Sequence, residues 1–342
     1  MKAAKLYQLS DIRIEEIPVP EIGENEALVR MKACGICGSD TMEWYVSKKA
    51  PFILGHEPTG VIEKVGGNVH NFKAGDRVFV HHHAPCFECK FCLKKQYSLC
   101  KTWKASRIDP GGMAEYFCVP MTNLQGDTFK LPASLSFEDG ALIEPTACVV
   151  KSFRRAGLQQ QDRLLIIGLG VMGQTHILLA KHFGVEQIIA ADRVPYRLKQ
   201  AQEFGADAVV NVATENLADR VKQLTKGQFA DVVIVGPDNT AAMQTGISCV
   251  GKGGTVLFFT PAPENEMLSI HPYHLYFNEI NLISSYSCGP DDTREAFQLI
   301  KQGVITAKKL VTHTFPLKKI EQAVAVMLRA QDSLKILIVN ER

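Results

Sequence analysis

The chain is 342 residues long, more than one hydrophobic core usually organises, so two domains are expected. Hydrophobic residues make up 46% and charged residues 22%, with 38 basic against 36 acidic side chains and a formal charge of +2. That balance excludes the electrostatic footprint of a nucleic-acid or membrane-surface binder, and no run approaches the ~18 uninterrupted apolar residues of a spanning helix.

The opening "MKAAKLYQLSDIRIEEI" lacks the apolar core of a secretion signal, so a cytoplasmic address is expected. The ten cysteines are then read as thiols or metal ligands rather than as disulfides. Up to about residue 145, short β-branched runs such as "EALVRMKACGI", "PTGVIEKVG" and "GDRVFVHHH" alternate with glycine turns, which predicts a mostly β domain. Inside it, "ACGICGSDTMEWY" carries Cys34-x-x-Cys37, a spacing open to three readings. It fits a redox dithiol, half of a four-cysteine zinc site, or one functional cysteine beside a bystander.

Further along, "GHEPTG" contributes His56 and Glu57, and "LIEPTACVV" contributes Glu144. A thiolate from Cys37, an imidazole and carboxylates suit a catalytic zinc that keeps one position open. His81, His82 and His83 follow "GDRVFV"; continued as a strand, they would point to alternate faces and could not all meet one ion, so a structural or pocket-edge role is expected. "CFECKFCLKKQYSLC" places Cys86, Cys89, Cys92 and Cys100 at the spacing of a closed, tetrahedral structural zinc site. Cys118, Cys249 and Cys288 have no spacing partner and are expected to be buried thiols.

From about residue 150 the pattern changes. "RLLIIG", "QIIAAD", "AVVN", "DVVIVG", "TVLFFT" and "NLISSYS" are near-continuous apolar runs separated by helical stretches, including Val171–Phe183 and Arg197–Phe204. That alternation predicts a doubly wound parallel sheet buried on both faces. "IIGLGVMG" sets Gly168-x-Gly170-x-x-Gly173 between strand and helix, a dinucleotide-binding fingerprint. The helix opening at Val171 and Met172 would offer its free N–H groups to a pyrophosphate. Asp192 ends the next strand, nineteen residues after Gly173, where a carboxylate accepts from the ribose hydroxyls and repels a 2′-phosphate. NAD is therefore expected rather than NADP, although Arg193 beside it either stacks under adenine or tolerates that phosphate. The last fifty residues read as helix, strand, helix and closing strand "KILIVN".

Taken together, "CGSD", "GHEPTG", "AGDRV", the four-cysteine lobe, "GGMAEY" and "GLGVMG" with Asp192 resemble the zinc-dependent medium-chain dehydrogenase/reductase superfamily. "LIEP", with Glu144 where simple alcohol dehydrogenases usually place a cysteine, resembles its polyol (sorbitol) and threonine dehydrogenase branch. The resemblance implies a GroES-like catalytic domain over 1–148 with the zinc lobe at 86–100, a Rossmann NAD-binding domain over 149–288, and a returning segment over 289–342. It implies Cys37, not Cys34, as the zinc cysteine, with His56 and Glu144, and Glu57 or water as the exchangeable ligand. Asp40 would orient His56. Ser39 matches the family's proton-relay hydroxyl, whereas the histidine many relatives carry five residues after the zinc cysteine is Met42 here.

On the cofactor side the same likeness implies Arg197 at the adenosine ribose and Lys335 at the pyrophosphate. Val235 to Pro237 and Ser285–Tyr286 would flank the nicotinamide. The arginine that sorbitol enzymes carry near Ser285–Tyr286 is missing, and Trp44, Tyr45 and Phe52 are candidate pocket walls. The expected activity is hydride transfer from the CH–OH of a secondary alcohol, in a polyol, diol or sugar-like substrate, to NAD, with two zinc ions per chain. The competing expectations are an NADP-linked carbonyl reductase and a catalytically silent zinc-binding protein. A homodimer or homotetramer is expected.

Overall fold

A computed structural model describes residues 1–340. The chain falls into two compact units, Met1–Ala147 together with the segment from Cys288 onward, and Cys148–Ser287. In chain order the strands are β1 (Lys2–Gln8), β2 (Asp11–Glu16), β3 (Glu26–Gly35), β4 (Phe52–Ile53), β5 (Pro58–Val65), β6 (Arg77–Val80), β7 (Tyr116–Pro120) and β8 (Thr128–Lys130) in the first unit. The second unit holds β9 (Arg163–Ile167), β10 (Gln187–Asp192), β11 (Ala208–Asn211), β12 (Ala230–Val235), β13 (Val250–Phe258) and β14 (Asn281–Ser284). The first unit then closes with β15 (Val311–Pro316) and β16 (Lys335–Val339).

The first unit is organised around β3, whose alternate residues Ala27, Val29, Met31 and Ala33 are fully buried, the period-2 signature of a strand with one face on a core. Its main sheet runs β15-β16-β3-β5-β6-β8, with β7 also on β3, while β2-β1-β4 forms a small second sheet. Ile62, Phe117 and Ile338 join Val29 and Met31 in one core. β3 lies between β16 and β5 at its C-terminal end: Cys34 pairs with Ile338 on one side and with Pro58 on the other.

The second unit is an all-parallel sheet in the order β11-β10-β9-β12-β13-β14. β9 is buried from Leu164 to Ile167 without alternation, as a strand covered on both faces must be. Chain order reverses between β9 and β12, and such a switch point opens a crevice at the carboxyl ends of the strands. The helices open close to where the sequence places them; the one expected from Arg197 begins at Pro195, whose fixed φ suits a first helical position, and ends at Glu203. One expectation changes: the strand carrying "GDRVFV" stops at Val80. The three histidines lie beyond it, so strand alternation does not govern where they point.

Candidate active site

The turn after β3 runs from Gly38 to Thr41 with Cys37 as its N-terminal cap. Asp40, 6% exposed, accepts a hydrogen bond from the Cys37 backbone at 3.0 Å and lies 3.6 Å from His56 Nδ1. His56 and Glu57 come just before β5. The ligand atoms of Cys37, His56 and Glu57 all lie within 4.8 Å of one another, close enough to share one ion. Burial works against a charge on His56, but Asp40 and the Cys37 thiol outweigh it and carry its pKa well above the ordinary value. A cation is what this cluster favours. The two cysteines of the Cys34-x-x-Cys37 pair part company: Cys34 is fully buried in the β core, while Cys37 faces His56.

Glu57 forms an ion pair with Lys335, each side chain only 1% exposed, and Lys335 Nζ also donates to the Ile36 carbonyl at 3.0 Å. Strand register causes this meeting. Lys335 begins β16 two residues before Leu337, which pairs with Gly35, and Glu57 precedes Pro58, which pairs with Cys34. A Cβ on Gly35 would lie 1.8 Å from Glu57 Oε2 and 2.6 Å from Lys335 Cε, so only glycine lets the pair close over the strand end. Lys335, expected at a pyrophosphate, is thus engaged with a carboxylate of the cluster.

Glu144, near the start of the helix Ile143–Ala156, is 5% exposed, and burial followed by the charge of Glu57 raises its pKa. Its carboxylate groups with His81 and His82, their ligand atoms within 4.8 Å of one another. His81 is held from behind, with Nδ1 2.7 Å from Asp127 Oδ2, and Asp127 accepts in turn from Thr293 Oγ1 at 2.5 Å. The other ring nitrogen of His81 is 3.6 Å from Cys288 Sγ, itself 4.0 Å from Glu144 Oε1. A buried polar string therefore runs from Thr293 to Glu144. Neither Asp127 nor Thr293 carries a spacing signal in the sequence; the run of three histidines after a short strand is the available hint.

Of the candidate pocket walls, Tyr45 and Phe52 pack against the β core, while Trp44 keeps its indole N–H buried without a partner. Ser39 is half-buried in the turn that carries Cys37.

In the lobe, the Cys86–Cys92, Cys89–Cys92 and Cys86–Cys100 sulfur separations are 3.9, 3.6 and 3.6 Å. Zn–S bonds of ~2.3 Å at tetrahedral angles put sulfurs about 3.8 Å apart, so the four thiols fit one zinc without rearrangement. Trp103, 1% exposed, packs against them. Although burial opposes it, backbone N–H donors bring the Cys100 thiol down to about 6, toward the thiolate a metal needs.

The cofactor fingerprint lies between β9 and the helix Val171–Phe183. Gly168 has φ +88°, a left-handed turn. A Cβ on Gly173 would strike the Gly168 carbonyl at 2.1 Å, so that glycine is required by helix–strand packing. A Cβ on Gly170 would meet nothing within 4 Å, which leaves open space at the helix N-terminus where a pyrophosphate fits. Val171 and Met172 open that helix. Asp192 is held by the backbone: Oδ2 accepts from Leu169 N at 2.7 Å, and Oδ1 accepts from Arg193 N and Val194 N at 2.7 and 2.9 Å.

Arg197 lies 3.9 Å from Asp192 and keeps its Nε buried without a partner, a group an adenosine ribose or phosphate can satisfy, whereas the Arg193 side chain is exposed. At the end of β14, Ser285 has a buried hydroxyl without a partner, and the Tyr286 ring is exposed while its carbonyl accepts from Lys151 at 2.7 Å. Val235 ends β12, with its side chain wholly buried in the sheet core and its backbone at the strand end.

Residues 23–132 match the family model of the alcohol dehydrogenase GroES-like domain, and residues 171–302 match that of zinc-binding dehydrogenases. Sorbitol dehydrogenase of Bacillus subtilis (strain 168) is 32% identical over 100% of this chain and 98% of its own length. The crystal structure of 2R,3R-butanediol dehydrogenase from Bacillus subtilis superposes with a TM-score of 0.87 at 27% identity, covering 99% of both chains. A Sinorhizobium meliloti 1021 protein described as a zinc-binding dehydrogenase and bound to NADP gives 0.87 at 25% identity, covering 99% and 98%. With its GroES-like β unit, its parallel nucleotide-binding sheet and these relatives, the chain belongs to the zinc-dependent medium-chain dehydrogenase/reductase superfamily, in the polyol dehydrogenase branch.

Proposed function

We propose that this dehydrogenase oxidises a secondary alcohol of a polyol-like substrate with NAD, using one zinc at Cys37, His56 and Glu144 and a second in the four-cysteine lobe. The observation that carries the reading is the gathering of Cys37 and His56 at the end of β3, with Asp40 behind the imidazole. Zinc held there supplies Lewis acidity toward the substrate hydroxyl, and the nicotinamide ring supplies the hydride acceptor. Asp40 fixes the orientation of His56 and raises its basicity as a ligand. Glu57, tied to Lys335, is the exchangeable carboxylate: leaving that pair would strand a buried ammonium. Ser39 takes the substrate proton outward, and Met42, a thioether, cannot pass it further.

Asp192 supports NAD. Three backbone N–H groups fix its carboxylate in position where the ribose hydroxyls of the fingerprint's cofactor would lie. The edge strand β14 and the exposed Met267, Tyr273, Tyr276 and Phe277 before it support assembly of like chains through the parallel-sheet unit.

The test is NADH formation at 340 nm against polyols, vicinal diols, simple secondary alcohols and L-threonine, repeated with NADP and after chelation. A chelator-sensitive rate with NAD on one of these classes is expected, and it should vanish in Cys37→Ser. Faster turnover with NADP, or full activity in that variant, would overturn the proposal.

A further inference from the structure

The three consecutive histidines are committed differently. His81 uses both ring nitrogens, toward Asp127 at 2.7 Å and Cys288 at 3.6 Å, and His83 Nδ1 is 2.5 Å from the Ser106 carbonyl. His82 keeps its Nδ1 buried with no hydrogen-bond partner. An imidazole nitrogen donates or accepts according to its tautomer, so Nδ1 can pair with a hydroxyl in either sense. Leaving a buried ring nitrogen unpaired is costly, and such an atom beside a reactive cluster marks where a polar group of a ligand belongs.

Its position is specific. The His82 ring centroid is 5.1 Å from that of His56, and its ring groups with the Glu144 carboxylate within 4.8 Å. His82 thus stands beside two of the three residues assigned to the catalytic zinc. It is packed from behind by the His83 ring at 4.0 Å, with Trp103 beyond at 6.5 Å, so the imidazole cannot swing away to find water.

We propose that His82 Nδ1 hydrogen-bonds to a second substrate hydroxyl, on the carbon next to the one oxidised, so that the site selects vicinal diols and polyols over mono-alcohols. The inference rests on the alcohol dehydrogenase reading of the site and adds to it the substrate feature that is recognised. A hydroxyl there pairs the orphaned nitrogen, whereas a substrate carrying only hydrogen at that carbon leaves it unpaired, a differential that translates directly into kcat/KM.

The experiment uses the full-length, zinc-loaded protein as wild type, His82→Phe and His82→Asn. Rates with NAD are measured on 2,3-butanediol and 2-butanol, alongside the melting temperature with each alcohol and NAD present. The wild type should prefer the diol, and His82→Phe, which keeps a ring for packing, should lower the diol-to-butanol ratio of kcat/KM about ten-fold, chiefly through KM. His82→Asn, whose amide restores a hydrogen-bonding group, should recover most of that ratio. An unchanged ratio in His82→Phe, with both rates reduced alike, would show a packing role only and overturn the proposal. If the wild type oxidises neither alcohol, the dehydrogenase assignment falls while His82 is still tested: stabilisation by the diol but not by 2-butanol, lost in His82→Phe, supports it, and no diol-specific stabilisation overturns it.

Discussion

Replacing Lys335 by methionine isolates the buried ion pair at the end of β3. Both side chains of the Lys335–Glu57 pair are 1% exposed, so removing the ammonium leaves a carboxylate with almost no access to water. Breaking such a pair from one side costs about 3–5 kcal/mol, and loss of the 3.0 Å bond to the Ile36 carbonyl adds to it. At about 2–4 °C per kcal/mol for a unit of this size, the melting temperature should fall by on the order of 10 °C. Burial lowers the Lys335 pKa, but Glu57 more than reverses this and the pKa is raised, so its contribution is complete below the unfolded value of 10.5 and is lost only above it. The penalty in Lys335→Met should therefore be the same at pH 6 and pH 9.

The decisive comparison is a double-mutant cycle. Lys335→Met with Glu57→Gln removes both charges and should recover most of the loss, since a buried pair and its neutral replacement are close in energy. Urea midpoints on zinc-loaded protein supply the four values. A cost under about 1 kcal/mol for Lys335→Met, as for an exposed pair, would refute the reasoning.

Asp40→Asn should keep the fold yet lower zinc affinity or kcat/KM by about 10–100-fold, read by metal titration and by rates at saturating zinc. Asp192→Ala should reduce the NAD-to-NADP ratio of kcat/KM by at least about ten-fold; it should also lower stability, because Leu169, Arg193 and Val194 lose their acceptor. Burial holds His176 at about 4 against 6.5 when unfolded, so the unfolded chain takes the proton first as pH falls. Between about pH 6.5 and 4 this group should withdraw stability, about 2 kcal/mol of it by pH 5, and urea unfolding of His176→Gln should lack that part of the slope.

The parts of this molecule legible in the sequence are those whose physics is local. Parallel strands such as β9 and β10 read as unbroken apolar runs because both faces are covered, and the glycine fingerprint and the Cys86–Cys100 spacing each encode one turn of chain. What stays hidden is set by register between distant strands. Glu57 and Lys335 are 278 residues apart in sequence (335 − 57) and meet only because β5 and β16 flank β3. The histidines escape a sequence reading for a different reason: β6 ends at Val80, so the alternation rule of a strand does not extend to the residues that follow it.

The same register explains why one strand end can organise both charge and ligands. Gly35 closes β3, Cys37 and Asp40 follow within one turn, and the two neighbouring strands deliver Glu57 and Lys335 to the same spot. The cluster thus gains its thiol from just beyond β3 and its imidazole from just before β5, while Glu144, on a helix, groups with His81 and His82 and is held by the string through Cys288, His81 and Asp127.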